Sequence, residues 1–227
     1  LDKGVLFMDN ETTEPRKTFH QQLDELYLSL LGMANRVLEL IEETRSSFVH
    51  LDIEAADRVI SEDDEVDDFR YRVEEGGVEL LARQAPVAID LRNIVVIMRL
   101  AQHLERVADL CVNISKAIKN LEGYRLSPWI RENMDEMFQN SERMIALAME
   151  AFKKRDLDLV DELNRMDEKV DRINRSFFTG FSKESPEEME LIIRVVMISR
   201  FLERIADHAV DIGENVRFLV TGKQLHE

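Results

Sequence analysis

Cysteine is almost absent from this chain of 227 residues, and the single one, Cys111, cannot form an intramolecular disulfide. A disulfide scaffold is excluded, and a reducing cytosol is the compartment that fits. Only four prolines and 7% aromatic residues occur, while Leu, Glu, Ala, Met and Arg abound. That balance favours helices over sheets. No uninterrupted apolar run reaches the length of about eighteen residues that a membrane span requires. Leu1 to Thr13 lacks the basic start and apolar centre of a signal peptide. The chain reads as soluble and cytoplasmic, meeting a membrane only through a membrane-protein partner. Positive charge is also scarce: 30 Lys and Arg against 46 Asp and Glu leave a net charge of −16. Phosphate backbones repel such a surface, so nucleic acid is excluded as a ligand, and cations or basic protein faces are favoured.

What the chain does have is a repeat. Leu104-Glu105-Arg106-Val107-Ala108-Asp109 returns as Leu202-Glu203-Arg204-Ile205-Ala206-Asp207, and Val112, Asn113 and Ile114 return as Val210, Asp211 and Ile212. Further upstream, Phe48, Asp52, Asp57, Asp63, Val66 and Asp67 match Phe152, Asp156, Asp161, Asp167, Val170 and Asp171. The offset falls from 104 residues to 98, which places a six-residue shortening near Lys183 to Pro186. Length and repeat together indicate two similar halves.

The prolines mark helix starts, where a missing N–H is harmless. Pro15, Pro86, Pro128 and Pro186 therefore divide the chain, with Ser127 and Ser185 as N-cap candidates. Apolar residues at helical spacing run from Leu23 to Ile41. Asp52 opens a short helix, Ser61 with Asp64 resembles a capping box, and Gly76-Gly77 is a weak point before Pro86. Residues after Ser127 repeat the plan, with Asp156 opening a short helix and Asp167 the next. The expected architecture is all-α: a tandem duplication of two three-helix bundles, 14–122 and 127–222, the middle helix of each broken near its start. The linker from Glu122 to Leu126 is too short for the halves to tumble independently. Met134, Met137, Met144 and Met149 are read as core.

An acidic pair four residues apart is unremarkable by itself, since chance supplies about nine in a chain with 46 acids. Registry between helices raises the signal. If the chain folds back at Pro86, Asp67 lies level with Glu105 and Asp63 with Asp109. In the second half Asp171 lies level with Glu203 and Asp167 with Asp207. Two four-carboxylate squares result, and neighbouring helices about 8–10 Å apart let such groups share a cation. On the residues alone two readings stand: a metal centre, or a surface salt-bridge network built with Arg106 and Arg204. Oxygen-only donors suit Mg, Ca, Mn or oxidised iron. His103 and His208 do not occupy matching positions in the two copies; His208 is at most an outer ligand. No Glu-x-x-His tetrad, glycine-rich phosphate loop or nucleophile with a His partner is found, so the chain does not read as an enzyme.

The two Leu-Glu-Arg-Val/Ile-Ala-Asp phrases, Gln-Ala-Pro-Val-Ala-Ile-Asp-Leu-Arg at 84–92, Phe-Leu-Val-Thr-Gly at 218–222, and Arg16, Phe19, Leu23 and Leu26 resemble the PhoU family across about residues 14–226. The resemblance implies paired three-helix bundles whose acidic motifs bind metal, often as multinuclear iron clusters. By position these motifs fall on Asp63, Asp67, Glu105, Asp109, Asp167, Asp171, Glu203 and Asp207. It also implies a negative regulator of phosphate uptake and phosphate-starvation signalling, coupling a phosphate ABC transporter ATPase to a sensor histidine kinase, with a homodimer as a further expectation. A metal-handling or storage protein, or a scaffold without metal, are the competing expectations.

Overall fold

The computed structural model describes residues 13–84, 86–180 and 186–223, without the side chains of 13–18, 63, 84, 178–180 and 186–188. Seven helices carry the described chain: α1 (Thr13–His50), α2 (Ile53–Ser61), α3 (Asp63–Gln84), α4 (Ala88–Lys119), α5 (Pro128–Lys154), α6 (Leu157–Gly180) and α7 (Pro186–Thr221). No strand occurs among the described residues, and none of their helices is long and apolar enough to cross a membrane. The fold is all-α, with α1, α2/α3 and α4 in the first half and α5, α6 and α7 in the second.

The two halves turn the same corner. Leu51 and Arg155 take left-handed backbone conformations at φ 50° and 53°. The next amide, of Asp52 or Asp156, donates back to the carbonyl of Ser47 or Ala151 at 2.9 and 3.1 Å. That closure satisfies carbonyls which a helix end would otherwise leave orphaned. Asp52 then caps α2 by accepting from the Ala55 amide at 3.0 Å, and Ser127 caps α5 by accepting from Ile130 at 3.2 Å, with Pro128 just inside. The repeat-equivalent Asp57 and Asp161 pair with Lys119 and Arg217, which are also repeat-equivalent.

Three expectations are corrected. The middle helix is broken only in the first half, where Glu62 separates α2 from α3; α6 runs unbroken through Arg165-Met166-Asp167. Arg and Met are good helix formers, and Met166 packs against the core. Ser61 does not cap α3: it ends α2, its hydroxyl donating back to the Arg58 carbonyl at 2.8 Å. Gly76-Gly77 does not interrupt α3. A Cβ at Gly77 would stand 2.7 Å from Met98 Sδ, so the missing side chain admits α4. The shortening near Lys183 to Ser185 lies outside the described residues.

The halves pack flank to flank, α4 against α7 and α1 against α5. Their buried residues form one cluster, from Leu30 and Leu104 in the first half to Ile145 and Leu202 in the second. Each fully buried Leu or Ile contributes about 1.5–3 kcal/mol. Ile94, Ala101, Leu104, Ala108 and Cys111 are buried on the inner face of α4, where Met98 is only partly buried, and Met134, Met137, Met144 and Met149 are all buried. Arg45 donates to Asp135 at 2.6 Å across α1 and α5.

Candidate metal centre

Because Leu104 and Val107 are buried, Glu105 emerges at the edge of the core, with a side chain only 16% exposed. Asp109 follows one turn later, more open, and Asp67 looks out from α3. Burial, then the Asp109 charge, lifts the Glu105 carboxyl above its usual range; Arg106 and Arg70 pull it back and Asp67 adds to the rise. Arg106 lies 3.4 Å from Glu105 and 3.1 Å from Asp109. Arg70 stands between the acids of α3 and α4, 3.9 Å from Asp67 and hydrogen-bonded to Glu74 at 2.8 Å. The structure therefore brings Asp67, Glu105 and Asp109 to one seam. The Asp63 side chain lies outside the described residues.

In the second half the seam between α6 and α7 is more acidic. Asp167 is pushed up to about 6 by burial first and then by Asp207, Asp171 and Glu203. The strongest charge acting on it is thus its mirror partner. Glu203, 14% exposed, is also raised by burial, with Asp207 and Asp171 adding and Arg200 opposing. Asp207 rises through burial, Asp171 and Asp211. Basic side chains attend from Arg200, which pairs with Glu203, and from Arg175, 3.3 Å from Asp171. These are not the Arg204 expected from sequence.

Asp167 Oδ1 and Glu203 Oε2 are buried without a hydrogen-bond donor. Such oxygens are costly unless something positive approaches them. Hard, anionic, oxygen-only donors fit a hard cation of the Mg, Mn, Ca or ferric type. Among the described residues no three oxygens of either square lie within 4.8 Å of one another.

Residues 30–118 and 134–216 each match the family model of the PhoU domain. The chain belongs to the PhoU family. Each half of the chain thus carries one PhoU domain and one of the two seams. A phosphate-specific transport system accessory protein PhoU homolog of Clostridium acetobutylicum is 31% identical over 92% of this chain and 97% of its own length. The crystal structure of PhoU from Pseudomonas aeruginosa superposes with a TM-score of 0.84 at 28% identity, covering 90% of this chain and all of that one. That of the phosphate transport system regulatory protein PhoU from Streptococcus pneumoniae gives 0.83 at 27% identity, over 91% and 99%.

One cluster in this PhoU-family chain escaped the sequence reading. His103 on α4 meets His208 on α7, Nδ1 to Nδ1 at 3.3 Å, and Asp211 Oδ2 lies 3.7 Å from each Nδ1. Asp211 is held below its usual range by the His208 hydrogen bond first and by both imidazole charges. Burial first, then His208 and Arg99, lowers His103 despite Asp211. No repeat could flag this cluster, because its residues come from unmatched positions. The spacing of His208 and Asp211, one turn apart on α7, was its only sequence signal.

Proposed function

We propose that this chain is a non-enzymatic regulator of phosphate uptake that works in the cytoplasm beside a phosphate ABC transporter. It docks on the transporter ATPase, restrains a sensor histidine kinase when phosphate is plentiful, and keeps phosphate-starvation genes off. The observation that carries this reading is the near end-to-end match to a relative named as a phosphate-specific transport system accessory protein. A charge of −16 would steer the molecule toward basic partner faces. A homodimer is part of the same reading.

In this reading Asp67, Glu105 and Asp109 hold cations on one seam, and Asp167, Asp171, Glu203 and Asp207 on the other, with Asp63 completing the first set. Iron is the leading occupant, and Mg, Mn or Ca share the same donor preference. Support comes from the orphaned oxygens of Asp167 and Glu203 and from carboxyls raised first by burial and then by one another. The cation would offset that repulsion and brace α3 to α4 and α6 to α7.

Deletion of the gene in its host tests the regulator, with constitutive alkaline phosphatase under ample phosphate as the expected phenotype. Sensitivity to metal with normal phosphate control would assign metal handling instead. Metal analysis of protein purified without chelator tests the seams. Glu105→Ala, Asp109→Ala, Glu203→Ala and Asp207→Ala together should remove most bound metal; equal content in wild type and variant would sink the assignment.

A further inference from the structure

We infer that His103, His208 and Asp211 form a binding site for one borderline transition-metal cation, zinc foremost, that clips the first half of the chain to the second. The site stands apart from the carboxylate seams in composition and in the elements it joins.

Three separations define it. The edges of the triangle made by the two Nδ1 atoms and Asp211 Oδ2 are 3.3, 3.7 and 3.7 Å. The point equidistant from these atoms lies about 2.1 Å from each, by the geometry of that triangle. Zinc bonds histidine nitrogen at about 2.0–2.1 Å and carboxylate oxygen at about 2.0–2.2 Å. An ion thus fits with little movement of the side chains. Among the described residues this is the one trio of His, Cys, Asp or Glu whose ligating atoms all lie within 4.8 Å.

The donor set decides the class of ion. Two imidazoles and one carboxylate suit Zn, Ni or Cu, whereas the seams offer oxygen only. Asp211 is 49% exposed, so water can complete the coordination. His103 Nε2, on the far side of its ring, lies 3.5 Å from the Asn215 amide. Turned over, that amide would accept the Nε2 proton, the outer contact that metal-binding histidines favour. The turn would forfeit its bond to the Asp211 carbonyl.

The site occurs once. At an offset of 98 the equivalents of His103, Asp211 and His208 are Phe201, Asn113 and Leu110, and two of these carry no donor atom. Because α4 belongs to the first half and α7 to the second, an ion here ties the two halves together. The regulatory reading above does not depend on it.

The test is Zn²⁺ titration calorimetry on the chelator-stripped full chain, repeated on a background carrying Glu105→Gln, Asp109→Asn, Asp171→Asn and Glu203→Gln. One zinc site per chain should persist in that background. His103→Ala or His208→Ala should weaken it by about 100-fold or more, and Asp211→Asn by about tenfold. Zinc should also raise the melting temperature of wild type and not of the His103→Ala chain. His103→Gln, and ring-nitrogen NMR of wild type in which zinc must shift both Nδ1 signals, keep the test decisive if an alanine variant fails to fold. Unchanged zinc affinity in both folded histidine variants, or unshifted Nδ1 signals, would overturn the site and leave a plain hydrogen bond between two rings.

Discussion

Asp167 on α6 and Glu203 on α7 each keep one buried carboxylate oxygen without a hydrogen-bond donor. Both carboxyls are raised, burial being the first cause, and Asp167 reaches about 6 against an ordinary 3.8. In the unfolded chain Asp167 loses its proton near pH 4, whereas in the folded chain it holds it to about 6. Its contribution to stability is therefore highest below pH 4, falls as pH rises through that window, and stays low above it.

Asp167→Asn should accordingly stabilise the cation-free protein at neutral pH. Allowing for solvent screening at this partly exposed group, the gain is about 1 kcal/mol. Urea denaturation in excess chelator from pH 4 to 8 measures it: the two proteins should converge at the acid end and separate above pH 6. With the metal of the seams restored the order should reverse, because the variant loses a ligand. A variant no more stable than wild type at pH 7.5 in chelator would count against the crowding of charge at this seam.

Arg36 organises the break between α2 and α3. Its guanidinium, only 12% exposed, pairs with Glu39 and Glu43 on its own helix, with Glu62 in the break and with Glu65 in α3 at 2.8 Å. Burial opposes the charge, but Glu62, Glu39 and Glu43 outweigh it and hold the guanidinium well above the usual arginine range. Arg36→Ala should cost about 2 kcal/mol, between the value of an exposed pair and that of a buried one whose partner is lost. The loss should shrink in Glu62→Gln, which removes part of the repulsion left behind. Thermal or urea unfolding of the single and double variants measures the coupling.

Much of this architecture was legible because duplication writes each feature twice. Asp52 and Asp156 mark the same corner, Asp57 and Asp161 the same ion pair, and the mirror of Asp167 with Asp207 survives as the strongest charge acting on Asp167. What the residues hid falls where the copies differ. Glu62 breaks a helix that Met166 continues, and periodicity is blind to a one-residue stop. Gly76-Gly77 reads as a breaker until Leu26 and Met98 are seen against it. His103 and His208 meet only because α4 packs on α7, a contact between halves that no repeat encodes.

Gly213 shows how such differences are absorbed. A Cβ there would come within 2.8 Å of Leu163 Cδ1 and 3.3 Å of Val160 Cγ1, and both residues are buried. The repeat-equivalent trio in the first half is Ser115, Val59 and Ala56: a larger residue on α4 corresponds to Gly213, and smaller ones on α2 to Leu163 and Val160. The two copies thus divide volume differently between these positions. Gly213→Ala should therefore lose about 1–2 kcal/mol to overpacking, in spite of a helix-propensity gain of about 1 kcal/mol. Gly77→Ala should stay within about 1 kcal/mol of wild type, since the obstructing Met98 is partly buried and flexible. Leu163→Val should recover part of the Gly213→Ala loss although it is destabilising alone, giving a favourable coupling of at least about 0.5 kcal/mol in a double-mutant cycle. Strict additivity of the two changes would mean that the α6–α7 contact yields elsewhere.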